Sequence, residues 1–562
     1  MDLNILIGAE AGKGTARTSL MIGRVFTLYG YYVFNYRDYP SLIKGGHNFN
    51  VLRISDEKVN SHENEYDIII ALDKKTIERH KDNLKKDGII LTEKSLIEEQ
   101  DVKKYSDIKY RIIYLDASDV MKKHSFQEII VNNILAGSLF KFLGIPLEFA
   151  LKAAEKEFGE KSDKIKIAIT EGYNLIKEPK IKEPQKVNKI KRNKKYFISG
   201  NEAIGLGAIA SGLDLYIAYP MTPASPLMHF LALQQKKHNI FVVQLEDEIA
   251  CINAAIAGSY AGARTMVGTS GGGFALMTEA ISLQGMNEIP LVVYLAQRPG
   301  PSTGVPTYTS QGDLKFALNA GHGEFLRIVV APGDAKEAFE KTIEAFYLSE
   351  KYRAVSIILG DKHLGESTYS FDSFKLDSSK ILEKIKPTNK KMDYKSYLIT
   401  ENGISPRALP GSNFIVRATS YEHDEYGITT EDPEIIKKMV NKRMKKIETI
   451  KKETKKMETF KVYGKGKNLI IGWGSTKGAI IDALKKLEDF SFLQIYYLSP
   501  FPNEIKKYIE NAKNVFIIEN NATSLLSQVI AENIGIKIEN KILKYDGRPF
   551  TPNEIIKEIE NW

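Results

Sequence analysis

Residues 241–268 read FVVQLEDEIACINAAIAGSYAGARTMVG, and this stretch decides the fold class. Phe241–Gln244 is a short apolar run, Ile249–Ala263 is a helix built largely from Ala, Gly and Ser, and Thr265–Gly268 is a second apolar run. Strand, helix and strand in succession make a βαβ unit, with the two strands parallel and the helix crossing one face. Three carboxylates, Glu246, Asp247 and Glu248, stand between the first strand and the helix. All three suit a helix N-terminus, where the aligned peptide dipoles favour negative charge. Glu248 leads directly into the apolar helix and is the one expected to point inward. The small side chains of that helix permit close packing on a sheet or on another chain.

The same alternation extends in both directions. A second α/β domain is expected over about 196–370, with further strands at Leu215–Ala218, Leu291–Ala296, Phe325–Val330 and Ala354–Leu359. Upstream, residues 1–178 form a first α/β domain with strands at Asn4–Gly8, Val51–Ile54, Asp67–Leu72, Gly88–Leu91 and Arg111–Leu115, and a helix at Thr15–Tyr29. Helical patterns between such runs are the signature of a doubly wound parallel sheet. Residues 179–195 hold Pro179, Pro184 and a lysine run, the composition of a linker. Residues 371–465 form a connecting segment that ends in a basic amphipathic helix over 435–457, with Ile436, Val440, Met444, Ile447 and Ile450 on one side. A third α/β domain covers 466–562, with strands at Asn468–Trp473, Phe492–Leu498 and Val515–Glu519. The fold class is α/β throughout, in three domains, and no internal repeat is visible.

Composition narrows the function classes. The 562 residues are 43% apolar and 27% charged, the balance of a globular protein. Cys251 is the only cysteine, which excludes a disulfide framework, a cysteine-rich zinc site and an iron–sulfur cluster ligated within this chain. It also fits a reducing, cytoplasmic compartment. No apolar run approaches the roughly 18–20 residues that span a bilayer, and the N-terminus reads as a first strand rather than a signal peptide. The net charge is +9, but residues 180–195 carry +7 and residues 437–456 carry +8, which leaves the rest of the chain at −6. Basicity confined to a linker and one helix is a solvated face or tether, not a nucleic-acid footprint.

Two motifs mislead. Gly8–Thr15 (GAEAGKGT) resembles a phosphate-binding loop but has three residues between its glycines, and Gly14 follows Lys13 where Ser or Thr is required. It also lacks the third glycine of a dinucleotide fingerprint, so it reads as a tight βα turn or as an anion contact through free backbone N–H groups. Among nine histidines, His47, His322, His363 and His423 sit in polar or glycine-rich loops without metal-ligand spacing, and structural hydrogen bonding is expected of each.

The chemistry lies in loops that a parallel sheet gathers outside the carboxyl ends of its strands. They are Ala218–Pro226 (AYPMTPASP), with three prolines fixing the backbone around Thr222; Gln244–Glu248; Gly268–Gly273; and Gln297–Asp313, with Arg298 at a strand end. An arginine there suits bidentate recognition of a carboxylate.

YPMTPAS (219–225), LEDEIA (245–250), TSGGGFALMTE (269–279) and QRPGPSTG (297–304), in this order, resemble the α subunit of 2-oxoacid:ferredoxin (or flavodoxin) oxidoreductases. The glycine turn at 8–14, Lys44–His47 and the strand LRISD (52–56) resemble the γ unit of the same enzymes, here fused ahead of α. IGWGSTKGAI (471–480), ILKYDGRPFTPNEI (542–555) and EHDEYG (422–427) extend the resemblance to nearly the whole chain. One departure is the γ turn, which usually reads GGQG and here reads AGKG.

The resemblance implies a γ-type domain, a thiamine diphosphate pyrimidine-binding domain and a transketolase-C-terminal-like domain. It assigns Glu248 as the carboxylate that hydrogen-bonds the aminopyrimidine and drives its tautomerisation, with Tyr219 and Pro220 as further cofactor contacts. Thr222, Arg298 and Thr307 are carried over as substrate contacts, the arginine holding the 2-oxoacid carboxylate. The diphosphate side of such a site needs Mg²⁺ and Gly-Asp-Gly; here Gly-Asp occurs at 312, 333 and 360 and is never followed by Gly. No metal ligand is therefore expected in this chain, and Mg²⁺, the other half of the thiamine site and a [4Fe–4S] cluster are expected in a β subunit. The implied reaction is coenzyme A-dependent oxidative decarboxylation of a 2-oxoacid, with electrons passed to ferredoxin or flavodoxin. The methionine in the proline motif and the C-terminal match lean towards 2-oxoglutarate, with pyruvate or a broad range open. The γ-like domain is expected to help cover the coenzyme A entry. A non-catalytic assembly or regulatory subunit, and a nucleotide-binding protein using Gly8–Thr15, are the competing readings; neither nucleic acid nor membrane is an expected partner.

Overall fold

The computed structural model describes residues 1–40, 46–96, 111–176, 187–191, 195–386 and 393–562. Most of the 179–195 linker, and Lys44 and Gly45 of the γ-like motif, lie outside the described residues. The chain divides into two compact units.

The first unit holds Met1–Ile198, with Ser367–Ser373 and Thr551–Lys557. Its sheet has eight strands, in the order Arg111–Leu115, Leu84–Glu93, Tyr66–Ala71, Asp2–Glu10, His47–Ser55, Tyr32–Asp38, Thr368–Phe371 and Tyr196–Ser199. The expectation of a parallel sheet is corrected here. Asp2–Glu10 runs parallel to Tyr66–Ala71 but antiparallel to His47–Ser55, which is antiparallel to Tyr32–Asp38 in turn. Only eight residues separate Tyr32–Asp38 from His47, too few for the crossover helix that a parallel pair needs. The second domain was expected to begin near 196; the strand Tyr196–Ser199 instead joins this first sheet.

The glycine turn of this unit behaves as a turn. Gly12 and Gly14 adopt φ of 93° and 79°, and Gly14 leads into the helix Thr15–Leu28. Lys13 pairs with Glu128 through its ammonium, and its carbonyl accepts from Asn132 Nδ2 at 2.8 Å. A lysine already neutralised by a carboxylate weakens the anion-contact reading.

The second unit holds Ser199–Glu366, Phe374–Phe550 and Glu558–Trp562. Its larger sheet has seven strands, in the order Tyr497–Ser499, Arg327–Val330, Val355–Asp361, Leu291–Gln297, Thr265–Thr269, Leu215–Ile217 and Phe241–Val243. All pairs are parallel except the one made by Tyr497–Ser499. Its smaller sheet runs Phe460–Gly464, Phe490–Ile495, Asn468–Trp473, Val515–Glu519, Asn540–Leu543. Val267, Phe274, Leu295, Ile471, Trp473 and Leu493 belong to one continuous core that joins the two sheets. Near-continuous apolar strands are what a sheet covered on both faces requires.

The basic helix spans Pro433–Thr454, capped by Asp432, but its buried face differs from the expected one. Met439, Lys442, Arg443, Lys446 and Ile450 are buried, while Ile436, Val440, Met444 and Ile447 are half-buried. The cause is an ionic socket. Glu288, at the C-terminus of the helix Gly271–Asn287 and 1% exposed, is bonded by the ammonium groups of Lys442 and Lys446, and Arg443 pairs with Glu422. Burial alone raises the Glu288 carboxyl, but Lys446, Lys442 and Arg353 outweigh it and hold the group well below its ordinary value. Burial pushes Lys446 down to about 7. Part of the lysine run is thus internal, not a solvated face.

Candidate functional site

Leu291–Gln297, Thr265–Thr269, Leu215–Ile217 and Phe241–Val243 are consecutive neighbours in the parallel sheet, so the segments leaving their carboxyl ends emerge along one edge. Those segments are the four loops singled out in the sequence.

Glu248 is the first residue of the helix Glu248–Tyr260, and Asp247 caps that helix by accepting from Ala250 N at 2.7 Å. With the cap supplied by its neighbour, Glu248 is free to turn inward. It is 3% exposed, whereas Glu246 is exposed and Asp247 half-buried. Its Oε1 is buried and has no hydrogen-bond partner among the described residues. A buried carboxylate oxygen without a donor is costly, so its position requires either a ligand donor or a compensating function. Gly273 explains how it fits: a Cβ there would lie 2.3 Å from Glu248 Oε1 and 2.2 Å from Thr269 Oγ1. Thr269 Oγ1 in turn donates to Met221 Sδ at 3.8 Å, tying the proline loop to this corner.

Arg298 follows the strand Leu291–Gln297 and crosses to the proline loop, where its Nη1 donates to the Thr222 carbonyl at 2.7 Å. Asn201 Nδ2 donates to the next carbonyl, Pro223 O, at 3.2 Å, so two successive carbonyls of that loop are held from outside it. The Arg298 Nε is buried and unpartnered. Burial pulls the guanidinium below its ordinary range, and the charges of Asp313 and Glu248 oppose that shift. Thr307 is 5% exposed, with a buried Oγ1 that bonds nothing in the chain. Tyr219 and Pro220 stand at the head of the proline loop, Tyr219 exposed and Pro220 half-buried.

The long third loop is pinned at its far end. Gln311 bonds Asn520 through both its backbone N (2.7 Å) and its Oε1 (2.9 Å), and its Nε2 donates to Trp473 O at 2.9 Å. Thr309 N donates to Gly547 O at 2.9 Å, and Arg548 covers the Tyr308 ring at 3.8 Å. The C-terminal sheet thereby fixes the loop that carries Arg298 and Thr307.

Glu248, Arg298, Thr222 and Thr307 thus lie on loops that share one sheet edge, and the unpartnered atoms Glu248 Oε1, Ser270 Oγ, Arg298 Nε, Thr307 Oγ1 and Asp313 Oδ2 all belong to those loops. Ser270 and Asp313 had no assigned role in the sequence reading. Asp313 was visible there only as part of a failed Gly-Asp-Gly, and its burial is a tertiary property. On these loops and the helices that follow them, Tyr219, Ile249, Leu276 and Val305 are exposed apolar side chains. Among the described residues no group of three or more His, Cys, Asp or Glu could hold a metal ion, and no helix is long and apolar enough to cross a membrane.

The histidines take structural parts. His47 Nε2 bonds His80 Nε2 at 2.8 Å, His423 Nδ1 bonds Tyr421 O at 3.0 Å, and burial lowers His363 to about 3.

Comparison with known proteins gives the following. The family model described as pyruvate flavodoxin/ferredoxin oxidoreductase, thiamine diphosphate-binding, matches residues 206–442, and the pyruvate ferredoxin/flavodoxin oxidoreductase model matches residues 4–175. A 2-oxoacid:ferredoxin oxidoreductase subunit alpha from Sulfolobus is 34% identical, over 99% of this chain and 96% of that protein. A 2-oxoglutarate synthase subunit KorA from Methanocaldococcus jannaschii is 32% identical over 65% of this chain and 98% of its own length. The structure of 2-oxoglutarate:ferredoxin oxidoreductase from Magnetococcus marinus, with 2-oxoglutarate, coenzyme A and succinyl-CoA bound, superposes with a TM-score of 0.88 at 28% identity. It covers 100% of this chain and 99% of that one.

Proposed function

We propose, from the premise that this chain belongs to the family of 2-oxoacid:ferredoxin oxidoreductase alpha subunits, that it is the catalytic γα-fused subunit of a coenzyme A-dependent enzyme acting on 2-oxoglutarate. The observation that carries the proposal is the buried, unpartnered Glu248 Oε1 seated against Gly273. It fits the ring nitrogen of an aminopyrimidine: a protonated Oε1 would donate to that nitrogen, and the carboxylate would accept from it once the proton has crossed.

Thiamine diphosphate, when bound, supplies the electron sink for breaking the bond between the oxo carbon and the carboxylate. Every other part falls to side chains. Glu248 holds a proton at Oε1 and, at 3% exposure, exchanges it with the cofactor rather than with bulk water. Arg298, anchored through Nη1 to Thr222 O, offers its remaining donors to the substrate carboxylate. The Thr307 hydroxyl, and that of Thr222, are available to the oxo-acid oxygens, with Tyr219 and Pro220 lining the cofactor side. The reaction joins 2-oxoacid and coenzyme A to give acyl-CoA and CO₂, releasing two electrons that pass singly to ferredoxin.

The rest comes from a partner. The chain has no Gly-Asp-Gly and one cysteine, so Mg²⁺, the diphosphate half of the site and the [4Fe–4S] cluster belong to a β subunit. The exposed apolar residues Tyr219, Ile249, Leu276 and Val305 are the surface we assign to it. We assign residues 1–178 as the γ-type domain that helps enclose coenzyme A, 199–366 as the pyrimidine-binding domain and 466–562 as the C-terminal domain, in a cytoplasmic enzyme. The 2-oxoglutarate assignment is supported by the methionine in the proline motif and by the names of the Methanocaldococcus and Magnetococcus relatives.

The test uses the chain alone and in complex with its β subunit. The isolated chain is expected to be colourless and inactive, and the complex to reduce a dye with 2-oxoglutarate and coenzyme A faster than with pyruvate. Glu248→Gln in the assembled complex is expected to lower that rate about 10²–10⁴-fold. A variant complex keeping more than about half the rate, or a stoichiometric cluster in the isolated chain, refutes the assignment.

A further inference from the structure

Arg298 is a half-buried cation that, among the described residues, has no carboxylate in ion-pair contact and no partner for its Nε. A charge so placed requires a counter-charge near by. The geometry points to Asp313. It lies on the same loop, fifteen residues on, and its backbone N donates to Oε1 of Gln297, the residue before Arg298, at 2.9 Å. That bond folds the loop back so that the Asp313 carboxylate meets the start of the helix Gly271–Asn287, where a Cβ on Gly271 would lie 2.7 Å from Oδ2. Oδ2 itself is buried and accepts no hydrogen bond. The carboxylate is therefore positioned by its backbone and by the space that Gly271 leaves, and is held by no donor of its own.

We propose that Asp313 is the resident counter-charge of Arg298, and that it gives up its charge when a substrate carboxylate takes that place, so that binding of a 2-oxoacid takes up one proton at Asp313. This rests on the functional reading above, because it needs Arg298 to receive the substrate carboxylate. The charged groups facing the site are few. The charges of Arg298 and Asp313 act on each other without ion-pair contact, that of Glu248 acts on Arg298, and the positive end of the Gly271–Asn287 helix favours an anion. On its own element, Lys315 is turned away to Gln528 and Glu532. Burial raises the Asp313 carboxyl to about 6, with Arg298 pulling it the other way, so the group is already close to accepting a proton near neutrality. An arriving carboxylate competes for Arg298 and adds a like charge beside Asp313, and both effects raise the affinity of Asp313 for a proton.

The sign follows. Below pH about 6 Asp313 is neutral before substrate arrives, and binding is independent of pH. Above that value binding must recruit a proton, and KM for the 2-oxoacid climbs towards tenfold per pH unit until the pKa of the bound state is reached. Asp313 acts through Arg298, so it is a positioning residue rather than a catalytic one.

The experiment is to measure KM and kcat separately for 2-oxoglutarate between pH 6 and 8 in the assembled complex, for wild type, Asp313→Asn and Asp313→Ala. Proton uptake on mixing with substrate is followed in parallel with a pH indicator in weak buffer. The expected result is a KM that rises with pH in wild type and is flat in both variants, lower than wild type at pH 8 by threefold or more, with the proton uptake lost. An active complex whose Asn variant keeps the slope, or whose two variants raise KM equally at every pH, overturns the inference alone. A complex that turns over no 2-oxoacid overturns the functional reading and this inference with it.

Discussion

Gly273→Ala separates the cost of folding from the cost of function at the point where both depend on one missing atom. The added methyl would stand 2.3 Å from Glu248 Oε1, 2.7 Å from its Cδ and 2.2 Å from Thr269 Oγ1. Normal contact is about 3.5 Å, so the carboxyl has to retreat by about 1 Å. The backbone gains in the opposite direction, because Gly273 lies within the helix Gly271–Asn287, where Ala is favoured over Gly by about 0.8–1 kcal/mol. Overpacking a filled interior costs about 1–3 kcal/mol, so the net change in stability is about 0–2 kcal/mol, a shift of a few degrees in melting temperature. Function has no such offset. A misplacement of about 1 Å costs on the order of 10²-fold in rate, and the displaced group here is the proposed acid–base residue. The assay pairs a thermal melt of the complex with coenzyme A-dependent dye reduction. We expect a near-native melt and a rate reduced about 10²-fold or more. A variant retaining over a third of the wild-type rate refutes the claim that Glu248 works from this position. A complex that fails to assemble would show instead that Gly273 serves packing alone.

Two further outcomes are expected. Arg298→Ala raises KM for every 2-oxoacid by about one to two decades, the worth of a charge-assisted hydrogen bond of about 1.5–3 kcal/mol, while KM for coenzyme A changes less; an unaltered 2-oxoacid KM with a lowered melt would make Arg298 a structural residue. Glu288→Gln leaves the buried ammonium groups of Lys442 and Lys446 without their carboxylate, and breaking a buried pair in this way costs about 3–5 kcal/mol; a loss below about 1 kcal/mol in urea unfolding would show that the socket does not hold the helix Pro433–Thr454.

Periodicity located most strands of the fold because burial on both faces writes itself as a continuous apolar run. Asn468–Trp473 and Val515–Glu519 are runs that the sequence marks, residue for residue; Arg111–Leu115 is marked equally well, although in this edge strand only Leu115 is buried. Direction was not legible. The strand Tyr32–Asp38 reads YVFNYRD, and it pairs antiparallel with His47–Ser55, whose sequence gives no sign that both of its partners run the other way. Nor was the face of the basic helix, because hydrophobicity alone cannot foresee that Lys442 and Lys446 turn inward. Only the position of Glu288, brought from 154 residues away to Lys442, makes that face the stable one.

The site divides in the same way. Local chemistry marked Glu248, because it leads directly into an apolar helix; the structure adds that Asp247 caps that helix and leaves Glu248 to turn in. It marked Arg298 as well, since the end of a parallel strand is where ligands meet the sheet. What the sequence could not carry is the space around those residues. Gly273 is one of three successive glycines, yet it is the one whose Cβ the Glu248 carboxyl would meet; nothing lies closer to a Cβ on Gly272 than the Ser302 carbonyl at 3.9 Å. Asp313, in the Gly-Asp pair that matters, looked in sequence like a diphosphate motif lacking its last residue. In the fold its backbone is bonded to Gln297 and its carboxylate meets Gly271, so that the same two letters that fail as a metal motif carry the counter-charge proposed for Arg298.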